Sequence, residues 1–220
     1  MENFISLDIL FRWLHVLVGI TWIGLLYYFN FIQGEYFKEA EAGAKADATK
    51  KLAPRALWWF RWGAMFTFIT GVLLLVGIRQ TWGIDGYITM GALMGTLMFL
   101  NVWLIIWPNQ KIVTGIVEGD ASVAGPKALL ASRTNTLFSA PMALGMIASS
   151  HGGGAAGNIV DHATSGFQGV GTGLAIVLAL IILLEINAIV GKMGPMASVK
   201  GVIHCSLALT VVCLALLQFV

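Results

Sequence analysis

Charge is scarce in this chain: 11% of its 220 residues are Asp, Glu, Lys or Arg, against 58% hydrophobic residues. With a mean hydropathy of +0.83, a water-soluble domain of this length is excluded, because it could not bury so much apolar surface. The formal net charge of +2 is too small to point to nucleic acid. Cysteine is nearly absent as well. Cys205 and Cys213 both fall in the last apolar run, and eight residues apart on one helix they are not placed to bridge. No C-x-x-C-H occurs, which removes the usual thioether attachment of a c-type haem. A secretory signal is also missing: no basic residue precedes Arg12, the apolar run continues to Ile32, and no A-x-A site follows. The first run is therefore expected to be retained as a helix. Gly152-Gly153-Gly154 follows no strand pattern and is no phosphate loop. No internal repeat and no soluble second domain emerge.

What is present is a series of apolar segments of membrane-crossing length. Six run approximately over 9–32, 57–78, 87–107, 135–151, 172–191 and 201–220. The fold class expected is all-α, a single polytopic membrane helix bundle over 1–220. The fourth segment is the weakest, being short and carrying Pro141, which a membrane helix tolerates when neighbours satisfy the freed backbone. The basic residues set the orientation. Lys38, Lys45, Lys50, Lys51 and Arg55 follow the first segment, Lys111, Lys127 and Arg133 the third, and Lys192 and Lys200 the fifth; the intervening connections offer Arg79. Six spans put the larger group on the cytoplasmic side and both termini on the periplasmic side of a bacterial inner membrane. Residues 34–56, rich in Ala, Glu and Lys, read as a cytoplasmic helical arm, and 152–171 as an external loop.

The first segment carries the best candidate chemistry. Arg12, His15, Gly19 and Trp22 fall on one face at helical spacing. Ionisable groups at membrane depth are costly and usually face the bundle interior. A neutral imidazole between helices is a common haem iron ligand; the same histidine could equally make a structural or interfacial hydrogen bond. His151 closes the fourth segment, so both histidines belong to the external layer, as two axial ligands would require. His151 could also simply open a loop, and His162 is a weaker substitute. Near the opposite side, Glu185 and His204 sit on neighbouring antiparallel segments. They read as a structural hydrogen bond or as a site that exchanges protons. Trp58-Trp59-Phe60-Arg61-Trp62 reads as an aromatic-basic anchor, Gly91-x-x-x-Gly95 as a close-packing face, and Asn101 as a buried polar group that needs a partner.

Three stretches carry a family resemblance. They are Trp13-Leu14-His15-Val16 with Gly19-Ile20-Thr21-Trp22-Ile23-Gly24 and Tyr27-Tyr28-Phe29-Asn30; Ile106-Trp107-Pro108-Asn109-Gln110-Lys111; and Arg133-Thr134-Asn135 with Pro141-Met142 and Ser150-His151. In these the chain resembles the membrane-embedded N-terminal domain of the bacterial cytochrome c-linked urate oxidase (urate hydroxylase) family. The first helix has a looser likeness to membrane protoporphyrinogen oxidase. The resemblance implies a helical membrane unit that holds haem b and passes electrons to a periplasmic c-type cytochrome. His15 and His151 would be the ligands, Arg12 a propionate partner, and Gly19 and Trp22 the pocket walls. Family members are expected to carry further helices and a C-terminal cytochrome, which this chain lacks, so a separate cytochrome would accept the electrons. The alternatives are an accessory subunit of a larger respiratory or photosynthetic complex, or a urate oxidase in its own right.

Overall fold

In a computed structural model the described residues are 6–81, 83–151, 158–160 and 167–220. Six long helices account for nearly all of them: α1 Leu7–Glu39, α2 Ala42–Ile78, α3 Gly86–Val113, α4 Ala121–His151, α5 Thr172–Val190 and α6 Val199–Phe219. Five of these, all but α4, are long and apolar enough to cross a membrane. Large apolar side chains such as Trp13, Ile20, Leu104, Leu183 and Val211 stand exposed around the bundle, where water would oppose them and lipid does not. The protein is a multi-pass membrane protein.

Capping explains several helix starts. The Ser6 hydroxyl accepts from the Ile9 amide and begins α1, the Asp85 carboxylate accepts from Ile88 and begins α3, and the Ser198 hydroxyl accepts from Gly201 and begins α6. A short antiparallel ladder, β1 Ile84–Asp85 with β2 Asn158–Val160, holds the segment after α4 against the entry of α3. Within 34–56, α1 and α2 run on as helix and break only at Ala40 and Glu41, whose ψ angles of 140° and 150° are extended. Three π-helical stretches, Tyr28–Gln33, Ala48–Leu52 and Asn101–Ile106, interrupt the regular winding.

The weakest segment of the sequence is the centre of the structure. α4 starts at Ala121, well before 135, and packs on α3, α5 and α6. Thr134, Asn135, Thr136, Phe138 and Ser139 are all buried along it. A helix surrounded by helices gains nothing from lipid-facing apolar residues, so its modest hydropathy reflects its position. Its crossing with α3 is backbone on backbone. A Cβ on Gly145 would stand 2.6 Å from the Tyr87 carbonyl oxygen, and one on Gly91 3.2 Å from that of Met142. Gly95 meets only side chains, Met142 at 3.5 Å and Met146 at 3.8 Å, so of the two glycines it is Gly91 that permits the close approach.

Pro141 has no N–H to offer the Leu137 carbonyl one turn earlier. The Ser206 hydroxyl on α6 donates to that carbonyl at 2.8 Å instead. The anchor stretch divides: Trp58 and Trp59 are exposed, while Phe60 joins the core. The Arg61 guanidinium lies 3.8 Å from the centre of the Trp107 ring and ties α2 to α3.

Candidate functional site

Helix α2 presents Thr67, Phe68, Gly71, Leu74, Leu75 and Ile78 to a cleft of about 350 Å³ and forms one wall of it. Arg12, His15 and Trp22 of α1 line it from one side. Met142, Met146 and His151 of α4 line it from the other. The structure thus brings His15 and His151 to a single apolar cleft. His15 is half-buried, and His151 is exposed at the end of its helix.

The ring nitrogens are engaged in a matching way. Thr70 Oγ1 lies 2.7 Å from the Phe66 carbonyl oxygen and 3.0 Å from His15 Nδ1. With its proton on the Phe66 carbonyl, the hydroxyl accepts from Nδ1 in the Nδ1–H tautomer of His15. His151 Nδ1 lies 3.1 Å from the Ile147 carbonyl oxygen, which only accepts. In the Nδ1–H tautomer of either imidazole the lone pair lies on Nε2, the arrangement that outer hydrogen bonds impose on metal-ligating histidines.

Three further features shape the cleft. The Trp22 indole N–H is buried without a partner. Gly71 has no side chain where a Cβ would stand 3.1 Å from His15 Cε1, so the ring packs directly on the α2 backbone. The remaining walls are mostly apolar, with Phe68, Leu75, Ile88 and Met142 beside Thr96 and Ser150. Among the described residues no group of three or more His, Cys, Asp or Glu side chains converges as a metal cluster.

The other expected site residues separate. Arg12 reaches the cleft, but its Nε donates to Asp8 at 2.6 Å, in an exposed pair. Gly19 is outside the lining, and a Cβ there would make only an ordinary contact, 3.9 Å from Thr67. The close approach to Trp22 comes from Gly63 on α2, whose Cβ would stand 3.2 Å from the Trp22 nitrogen. His162 and Gly152-Gly153-Gly154 lie outside the described residues.

Glu185 and His204 do not pair. Glu185 is buried and accepts from Asn101 Nδ2 at 3.1 Å. The same nitrogen donates to Asn135 Oδ1 at 2.9 Å, and Asn135 Nδ2 donates to the Met98 carbonyl at 2.9 Å. His204 is exposed on α6, beside Ile203 and Leu207. Helices that neighbour in sequence need not turn their polar residues toward each other. The buried faces here are set by Val202, Ser206 and Leu209 on α6 and by Ile181 and Ala188 on α5.

Sequence reasoning missed the α2 wall. Its signal was limited to Thr67 and Gly71, a small polar residue and a glycine one turn apart on an apolar helix.

Residues 79–163 match the family model described as urate oxidase N-terminal. The match takes in α3, α4 and His151, with two of the three stretches that carry the resemblance. The first stretch, with His15, lies before it. No curated protein and no solved structure matches the chain.

Proposed function

We propose that this membrane helical domain, related to the urate oxidase N-terminal domain, holds one haem b and relays electrons to a separate c-type cytochrome. The observation that supports the reading is the meeting of His15 and His151 at one apolar cleft, each with Nδ1 engaged. In this reading the two Nε2 atoms are the axial ligands. Thr70 and the Ile147 carbonyl hold the imidazole orientations, the bare Gly71 backbone makes room for the His15 ring, and the Trp22 N–H is available to an acceptor on the ligand. Bound haem would supply reversible one-electron chemistry. Arg12, at the rim, is the nearest cation for a propionate once it exchanges its exposed partner Asp8, a pair worth little at such a surface.

The basic residues favour an orientation with the cleft on the external side, because Lys45, Lys50, Lys51 and Arg55 lie near the opposite end of the bundle. A soluble acceptor would then dock at the end of α4. The deciding experiment is an absorption spectrum of the purified protein with pyridine-haem analysis. The expected result is a Soret band that is lost or shifted in both His15→Ala and His151→Ala. Folded, haem-free wild-type protein that takes up no added haem would overturn the reading.

A further inference from the structure

A second cavity, of about 220 Å³, lies toward the opposite end of the bundle among α1, α2, α3 and α4 and shares no lining residue with the histidine cleft. Its walls include Phe29, Phe37, Phe60, Asn30, Gln33 and Ser132. Two oxygens in these walls are unusual: Asn30 Oδ1 and Gln33 Oε1 are buried and meet no donor. Buried acceptors without partners are rare and each is costly.

The Asn30 amide cannot be turned to remove the problem. Its Nδ2 donates to the Leu26 carbonyl at 2.9 Å and to Ser132 Oγ at 2.7 Å. Reversing the amide would aim an oxygen at the Leu26 oxygen. Asn30 Oδ1 is therefore an acceptor held in place. It shares the π-helical stretch Tyr28–Gln33 with Gln33, and such stretches are frequent at functional sites. Aromatic rings flank both, with Phe29 and Phe60 meeting edge to face at 5.6 Å. No Asp, Glu, Lys or Arg lines the cavity, so a charged ligand would find no counter-ion there.

We propose that this cavity binds one small, uncharged planar ring that donates two hydrogen bonds, through O–H or N–H groups, to Asn30 and Gln33. The inference stands apart from the haem reading and holds for haem-free protein as well. A hydroquinone and its quinone make a fitting probe pair, since the rings match and only the hydroquinone carries donors. A quinone would set a lone pair against the fixed Asn30 oxygen, while the Gln33 amide, held by no hydrogen bond among the described residues, can turn either end toward the ring.

The test is equilibrium binding of 2,3-dimethylhydroquinone and 2,3-dimethylquinone to the purified full chain in detergent, without oxygen. Saturable hydroquinone binding is expected, with the quinone about tenfold weaker or worse. Gln33→Leu should weaken hydroquinone binding by about tenfold. Gly125→Leu fills the cavity from α4 without touching either acceptor and should abolish binding. A Cβ at Gly125 meets nothing nearer than Val113 at 3.9 Å, so this variant is expected to fold. Equal binding of the two probes, no binding of either, or hydroquinone binding that survives Gly125→Leu would overturn the proposal.

Discussion

His15 Nδ1 and Thr70 Oγ1 meet 3.0 Å apart across the α1–α2 interface, and the threonine hydroxyl also reaches the Phe66 carbonyl at 2.7 Å. Thr70→Val keeps the shape of the side chain and deletes the acceptor. The imidazole then loses the contact that fixes its tautomer. Outer-shell losses of this kind typically weaken metal affinity by about 10–100-fold. Haem titration of the purified variant should show weakening in that range and a shifted Soret maximum. Affinity and spectrum equal to the wild type would leave the Thr70 contact with no part in ligation.

Gly145 is the tightest point of the α3–α4 crossing. In Gly145→Ala the new methyl meets the Tyr87 carbonyl oxygen, a backbone atom that moves only with its helix. Overpacking of this kind costs about 1–3 kcal/mol, measurable by denaturant unfolding in detergent. Gly95→Ala is the control. Its methyl would meet the flexible Met142 sulfur at 3.5 Å, and stability should change by under about 1 kcal/mol.

The Ser206 hydroxyl answers a carbonyl that Pro141 leaves open. Ser206→Ala should cost about 1 kcal/mol, the scale of a single hydrogen bond inside a membrane protein. In a Pro141→Ala background the Leu137 carbonyl regains its helical partner, and the same substitution should cost less. A double-mutant cycle reads the difference directly. Strict additivity would show that the hydroxyl and the proline act independently.

Asn101 joins Asn135 and Glu185 in one buried chain of hydrogen bonds. Glu185→Gln keeps an oxygen for Asn101 and should be nearly neutral. Glu185→Leu leaves one of the two Asn101 amide protons without its partner and should destabilise by about 1–2 kcal/mol. His204→Ala, on an exposed face, should leave stability unchanged. Thermal unfolding of the three variants in one detergent separates this arrangement from a Glu185–His204 pair, in which the two alanine- or leucine-type losses would match.

The helices were legible because apolar runs of membrane-crossing length have few other uses. The ends were less so: α4 begins fourteen residues ahead of its apolar stretch because Lys127 and Arg133 mask a helix that Pro126, near its start, does not break. His15 stood out as a costly group in an apolar helix, and its partner did not. A threonine in a membrane helix usually bonds its own preceding turn, as Thr67 does with Gly63 at 2.7 Å, so Thr70 gave no sign of reaching across to α1. Glu185 and His204 show the opposite error. Hydropathy marks both the lipid face and the buried face as apolar, and so could not tell which way either residue points. Gly63 and Gly71 were overlooked because a glycine's importance lies in the neighbour that takes its space.

The position of α4 also bears on how the chain is made. A segment carrying Lys127, Arg133, Asn135 and Pro141 has a poor partition free energy from the translocon into lipid on its own. Its partner α3, with Gly91 seated against it, supplies both shape and hydrogen-bonding groups. Insertion of α4 is therefore expected to depend on α3, so that a chain cut off before α4 should insert normally while α4 fused behind an unrelated helix should not.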